Sequence, residues 1–103
     1  MRGPRRHDIG ALAAKAALAE ADGDLEGAAG LYSEAATAWE SYGGVVEQAM
    51  ANLGAGRTLA ATNRHDEAEG PLRAAAVTFS EIGATPLLAE AEALLARGTA
   101  VSS

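Results

Sequence analysis

The segment Asp22-Gly23-Asp24-Leu25-Glu26-Gly27 sets three acids at alternate positions ahead of a glycine, which is how a calcium-binding loop opens. Its twelfth position is Ser33, not the glutamate that closes such a site with two oxygens. These acids therefore read as an acidic first turn of a helix, stabilised by the helix macrodipole. A second run, Ala51 to Thr58, echoes the phosphate-binding pattern G-x-x-x-x-G-K-[ST], with Ala51 in place of the first glycine and Arg57 in place of the lysine. No strand pattern precedes it, so Gly54 and Gly56 are expected to let a helix approach a neighbour closely. The two histidines, His7 and His65, have no partner at metal-ligand spacing and are expected in solvent. Glu90 and Glu92 are two residues apart and do not face each other on a helix. No nucleophile with a base beside it emerges, and the expected role is non-catalytic, with no cofactor and no metal.

The elements that hold these residues follow from composition. The chain has 103 residues, enough for one small domain. Hydrophobic residues make up 49%, but 27 of them are alanine, the best intrinsic helix former, and aromatics are only 4%. A β-sandwich or barrel needs β-branched and aromatic side chains that are scarce here, so the expected class is all-α. The absence of cysteine excludes a disulfide framework and a thiol nucleophile. A formal charge of −6 argues against direct nucleic-acid binding, which normally uses a basic patch. Arg2, Arg5 and Arg6 ahead of an alanine-rich run imitate a signal peptide, but Asp8 and Lys15 interrupt the imitation, and no apolar stretch approaches the ~18 residues of a membrane span. The expected location is the cytoplasm. Residues 1–8 are expected to form a disordered basic tail, 9–98 the folded domain and 99–103 a disordered C-terminal tail; beyond residue 8 the chain carries five basic and thirteen acidic groups.

Sliding the sequence by 40 residues superposes it on itself. Ala28 falls on Ala68, Tyr32 on Leu72, Ala35 and Ala36 on Ala75 and Ala76, Trp39 on Phe79, Tyr42 on Ile82 and Gly43 on Gly83. Within each copy these apolar positions step by three and four, one face of a helix at constant register. Trp39, an aromatic that elsewhere can anchor an interface, therefore reads as core together with Phe79. Five helices are expected: about Ile9–Ala21, Leu25–Tyr42, Val45–Thr62, His65–Ile82, and a fifth capped by Thr85, with Pro86 at its first position, closing near Arg97-Gly98. Gly23, Gly43 and Gly83 end helices in the left-handed conformation, and Asn63 tolerates it at the fourth turn. Pro71 falls inside the fourth helix, so that helix is expected to begin late or to kink there.

Antiparallel helix pairs at this period, with Leu53-Gly54-Ala55-Gly56-Arg57 followed by Asn63-Arg64-His65-Asp66-Glu67-Ala68, resemble the tetratricopeptide repeat. Gly23-Asp24-Leu25-Glu26-Gly27-Ala28-Ala29 is similar to the same turn one copy earlier, and Gly56 and Ala68 keep the family's twelve-residue separation. The spelling is closest to the C-terminal repeat regions of actinobacterial LuxR-type ATP-binding regulators and repeat-bearing nucleotide cyclases. The resemblance implies an α–α superhelix of about 2.5 repeats, acting as a protein-interaction or regulatory module, and spans about residues 9–97. It implies a concave groove lined by the first helix of each pair, which places Ala13, Ala17 and Glu20 with Met50, Leu53 and Arg57. That set lacks the lysine and asparagine clamp with which some members hold a C-terminal carboxylate. Arg57 can pair with a ligand carboxylate or with a nearby acid, Glu47 or Glu20. The implied partner is a protein or peptide. Because repeats bury their faces by stacking, the alternative is a structural fragment that forms a homodimer or docks on further repeats through its open N-terminal face.

Overall fold

The computed structural model describes residues 6–102, with side chains from 8 to 100. It is an all-α stack: α1 (Arg6–Ala21), α2 (Leu25–Tyr42), α3 (Val45–Ala61), α4 (His65–Ile82) and α5 (Thr85–Ser102), each packed on its neighbour in sequence. The first tail expected from the sequence lies largely outside the described residues, and Arg6–Asp8 belong to α1.

Backbone geometry repeats at half the period of the side chains. Residues 23, 43, 63 and 83 all carry positive φ: Gly23 at 88°, Gly43 at 96°, Asn63 at 62° and Gly83 at 73°. At each turn the amide of the following residue donates to a carbonyl five residues back: Asp24 to Ala19, Gly44 to Trp39, Arg64 to Leu59 and Ala84 to Phe79, all at 2.9 Å. This bond ties off an orphan carbonyl of the helix end and reverses the chain in two residues. One left-handed residue thus follows the last at a constant interval of 20 residues. Asp24 adds an N-cap, its Oδ1 accepting the Gly27 amide at 3.0 Å, so the calcium-like acids do serve a helix start.

The copies bury equivalent side chains. One cluster joins Ile9, Ala35, Ala36, Trp39 and Ala51. Forty residues on, Ala49, Ala75, Phe79 and Ala91 lie together in the largest cluster, with Ala76 packed against it. Trp39 and Phe79 therefore share the same surroundings, and both are core. Compensation is visible where the copies differ. A Cβ on Gly44 would sit 2.6 Å from the Trp39 indole, whereas the second copy pairs the smaller Phe79 with Ala84. Gly44→Ala alone is expected to cost about 1–3 kcal/mol by overpacking. In a Trp39→Phe background most of that penalty should vanish, a coupling of about 1–2 kcal/mol by urea denaturation of the four proteins of the cycle. An alanine cost independent of residue 39 would show that the indole does not set it.

Several expectations need correction. Thr85 is the first residue of α5, not its cap; Ala84 precedes the helix, as Gly44 precedes α3, and its carbonyl accepts from Leu88 at 2.9 Å. α5 does not close at Gly98 but continues to Ser102, because an interior glycine costs a helix only about 1 kcal/mol. α4 does not start late: it begins at His65 and holds Pro71 inside it. Tyr42 and Ile82 follow the apolar stripe in sequence, yet both are 51% exposed, because the last residue of a helix overhangs the packed face at the turn. Tyr42 still rests edge-on against Trp39, centroids 5.6 Å apart.

Candidate functional site

α1, α3 and α5 are the odd-numbered helices, and one arginine ties all three. Arg57, one turn before the end of α3, donates from Nε to Glu20 Oε2 at 2.6 Å and from Nη2 to Glu20 Oε1 at 2.8 Å. This forked geometry is the strong form of a guanidinium–carboxylate pair. Its Nη1 donates to Glu90 Oε2 of α5 at 3.1 Å. Tyr32 of α2 donates its phenolic hydrogen to Glu20 Oε1 at 2.8 Å, so four helices meet in one polar chain.

Packing decides why these groups meet. Tyr32 belongs to a cluster with Ala16 of α1, Ala28 of its own helix α2 and Ala55 of α3. Its ring lies where a Cβ on Gly54 would fall, 2.6 Å from two ring atoms. Gly54 thus brings α3 close to α2, and the tyrosine hydroxyl is carried across to the end of α1. On the next face of α3, Gly56 makes the same allowance for Leu72 of α4. The two glycines that imitate a phosphate loop are helix-packing notches.

The electrostatics follow the geometry. The Arg57 guanidinium, through its hydrogen bonds, holds the Glu20 carboxyl below its ordinary range; partial burial opposes this and the Tyr32 hydroxyl assists. Arg57 is held still more firmly in its charged form by Glu20, against the effect of its own partial burial. Burial, and then the bond to Glu20, push the Tyr32 phenol upward. A carboxyl whose folded pKa is depressed contributes stability that is present above its unfolded value and lost as pH falls through the folded one. A phenol whose folded pKa is raised contributes stability present below its unfolded value and lost as pH rises through the folded one. Stability should therefore weaken below about pH 4.5 and again above about pH 10. Glu20→Gln is expected to cost about 1 kcal/mol at pH 7, after allowance for solvent screening, and to flatten the acid limb of a melting-temperature profile against pH. An unchanged acid limb would remove Glu20 as its source.

The residues named from the sequence fall into three groups. Glu20 and Arg57 come together, and of the acids considered for Arg57 it is Glu20 that the guanidinium engages. Ala13 is half-buried, while Ala17 and Met50 are exposed, Met50 at 46%. Leu53 is a correction: only 2% exposed, it belongs to the core with Leu59 and Phe79 and offers nothing to a groove. Glu90 and Tyr32 are additions. Glu90 stands 40 residues after Met50, so carrying the repeat register onto the fifth helix would have placed it on the same face. Val46, 45% exposed and one turn before Met50, extends the apolar part of this face. His65, expected in solvent, is half-buried, with Gly98 of α5 passing close to its ring.

The face as a whole combines an apolar half, Val46 and Met50, with a polar half, Glu20, Arg57 and Glu90. Among the described residues no group of three or more His, Asp or Glu side chains is placed to hold a metal ion. Among them, too, no helix is long and apolar enough to cross a membrane. Comparison of the chain with family models, curated proteins and solved structures gives no match.

Proposed function

We propose that this chain is a non-catalytic interaction module, a helical-repeat scaffold of tetratricopeptide type that receives a helical or extended peptide on the face shared by α1, α3 and α5. The observation that carries the reading is the stripe on α3. Val46 and Met50 are nearly half-exposed one turn apart, and Arg57 continues the line with its charge shared between Glu20 and Glu90. An apolar side chain of a ligand would rest on the first two residues, and a polar group would meet the ion pairs, the usual division of labour in helix-in-groove recognition. The resemblance carried by Gly54, Gly56 and Ala68 supports the same role, and with it a place within a larger bacterial transcriptional regulator or signalling protein in the cytoplasm.

The test is selection of binders from a displayed library of random twelve-residue peptides, with affinities measured by fluorescence polarisation. Met50→Glu changes an exposed side chain and should leave the melting temperature in place while weakening selected peptides at least tenfold. Arg57→Gln should weaken those that carry a charged or polar residue. Peptides that bind both variants as well as the parent would locate the interaction elsewhere and overturn the reading.

A further inference from the structure

A second surface, formed by α4 and α5, points to an interaction of a different kind. Between α4 and α5 lies a crevice of about 410 Å³. Ala68, Leu72, Leu94 and Leu95 form its apolar floor, and Asp66 and Glu69 stand at its rim.

The repeat shows what such a crevice takes. Forty residues earlier the corresponding positions are Ala29, Ala55 and Leu59, in place of Glu69, Leu95 and Thr99. There the site is filled: Ala29 and Leu59 are 5% and 7% exposed, gathered into one cluster with Ala68 and Leu72 of α4. In the second copy the same place is open, with Glu69 and Thr99 exposed and Leu95 half-buried. The seat is therefore shaped for a helix presenting the contacts of α4, whose buried residues begin Ala68, Leu72, Ala75.

The opposite end of the stack presents that pattern. On α1 the side facing away from α2 is exposed at Ala14, Leu18 and Ala21, with the same steps of four and three. Leu18, at 66%, is the most exposed large apolar side chain among the described residues. Beside Ala14 sits Lys15, the single lysine of the chain, while the rim of the crevice is acidic. The α1 face thus repeats the apolar steps that fill the equivalent seat. It sets one lysine, in a row with Asp8 and Asp22, against Asp66 and Glu69, of which Glu69 also accepts from Arg73 of its own helix at 2.8 Å.

We propose that the α4/α5 crevice of one molecule seats the outer face of α1 from a second copy of the chain. Leu18 enters between Leu72 and Leu95, and Lys15 approaches Asp66 and Glu69. The contact joins two different surfaces, so each associated molecule retains one free end, and assembly extends or closes into a ring. A contact of α1 with α1 would instead set Lys15 against its own copy and leave the crevice empty.

Sedimentation velocity over a concentration series from about 5 to 200 μM tests this, spanning the range of weak association. The parent chain should sediment faster as concentration rises. Leu18→Gln, which places an uncharged polar group in the apolar seat, blocks the α1 face, and the double change Asp66→Arg with Glu69→Arg blocks the crevice. All three positions are exposed, so circular dichroism should show both variants fully helical. Each variant alone should be monomeric, its association weakened at least tenfold. Mixed in equal amounts they should form a one-to-one dimer and nothing larger, because each supplies the surface that the other lacks. A parent chain that stays monomeric throughout overturns the proposal, and so does a mixture of the two variants that fails to pair. Peptide binding at Met50 is read separately, so either proposal can fail without the other.

Discussion

Phe79→Ala is expected to lower unfolding free energy by about 3–5 kcal/mol, the usual cost of emptying an aromatic site in a core. Phe79 is fully buried and sits in the cluster that joins α3, α4 and α5 through Leu53, Leu72, Ala75 and Ala91. About half of its neighbours there are alanine, which has no rotamer freedom with which to refill the space. A domain of this size has about 5–15 kcal/mol in total. The variant should therefore melt at least ~12 °C lower than the parent, given about 4–8 °C per kcal/mol at this length. The equivalent change in the first copy, Trp39→Ala, should also be severe, since Trp39 is 6% exposed amid Ile9, Ala35 and Ala51. If Phe79→Ala cost less than about 1 kcal/mol, as a surface change does, the core would have been misplaced.

Gly54→Leu is the second large effect. Alanine or leucine is intrinsically a better helix residue than glycine by about 1 kcal/mol, so local propensity predicts a gain. Tertiary packing predicts the opposite. The first atom of any side chain at residue 54 would lie 2.6 Å from the Tyr32 ring, which is rigid and cannot fold aside. Moving it outward would break its 2.8 Å bond to Glu20 and pull α2 from α3. Overpacking of this kind costs about 1–3 kcal/mol or more, and we expect a net loss of at least ~2 kcal/mol. Gly54→Leu combined with Tyr32→Leu copies the second repeat, where Leu94 and Leu72 share the cluster, and should recover part of that loss. A stabilised Gly54→Leu single variant would mean that helix propensity outweighs the contact. The same experiment reads out the polar chain: displacing Tyr32 should reduce the protection of Glu20 from acid, seen as a shallower acid limb.

The local plan of the molecule was readable residue by residue. Left-handed turns at Gly23, Gly43 and Gly83 need no neighbour to specify them, because only glycine, or an asparagine such as Asn63, takes that conformation cheaply. Apolar spacing of three and four likewise marks a buried helix face whatever it packs against, and the superposition of Trp39 on Phe79 follows from it. Thr85 and Gly98 misled for a related reason: both are weak local signals, and a helix end is settled by the sum of many such terms. What the linear order of residues could not carry is the relative level of one helix beside another. Glu20, Arg57 and Glu90 are 37 and 33 residues apart, and only the stacking of α1, α3 and α5 sets their side chains end to end. The burial of Leu53 and the open crevice beside Leu95 are likewise products of which helix covers which, a property of pairs of surfaces that no single stretch of chain contains. Short-range sterics and hydrophobic period therefore determined the elements. The depth to which they interlock, set by Gly54, Gly56 and the side chains opposite them, decided the surfaces available for function.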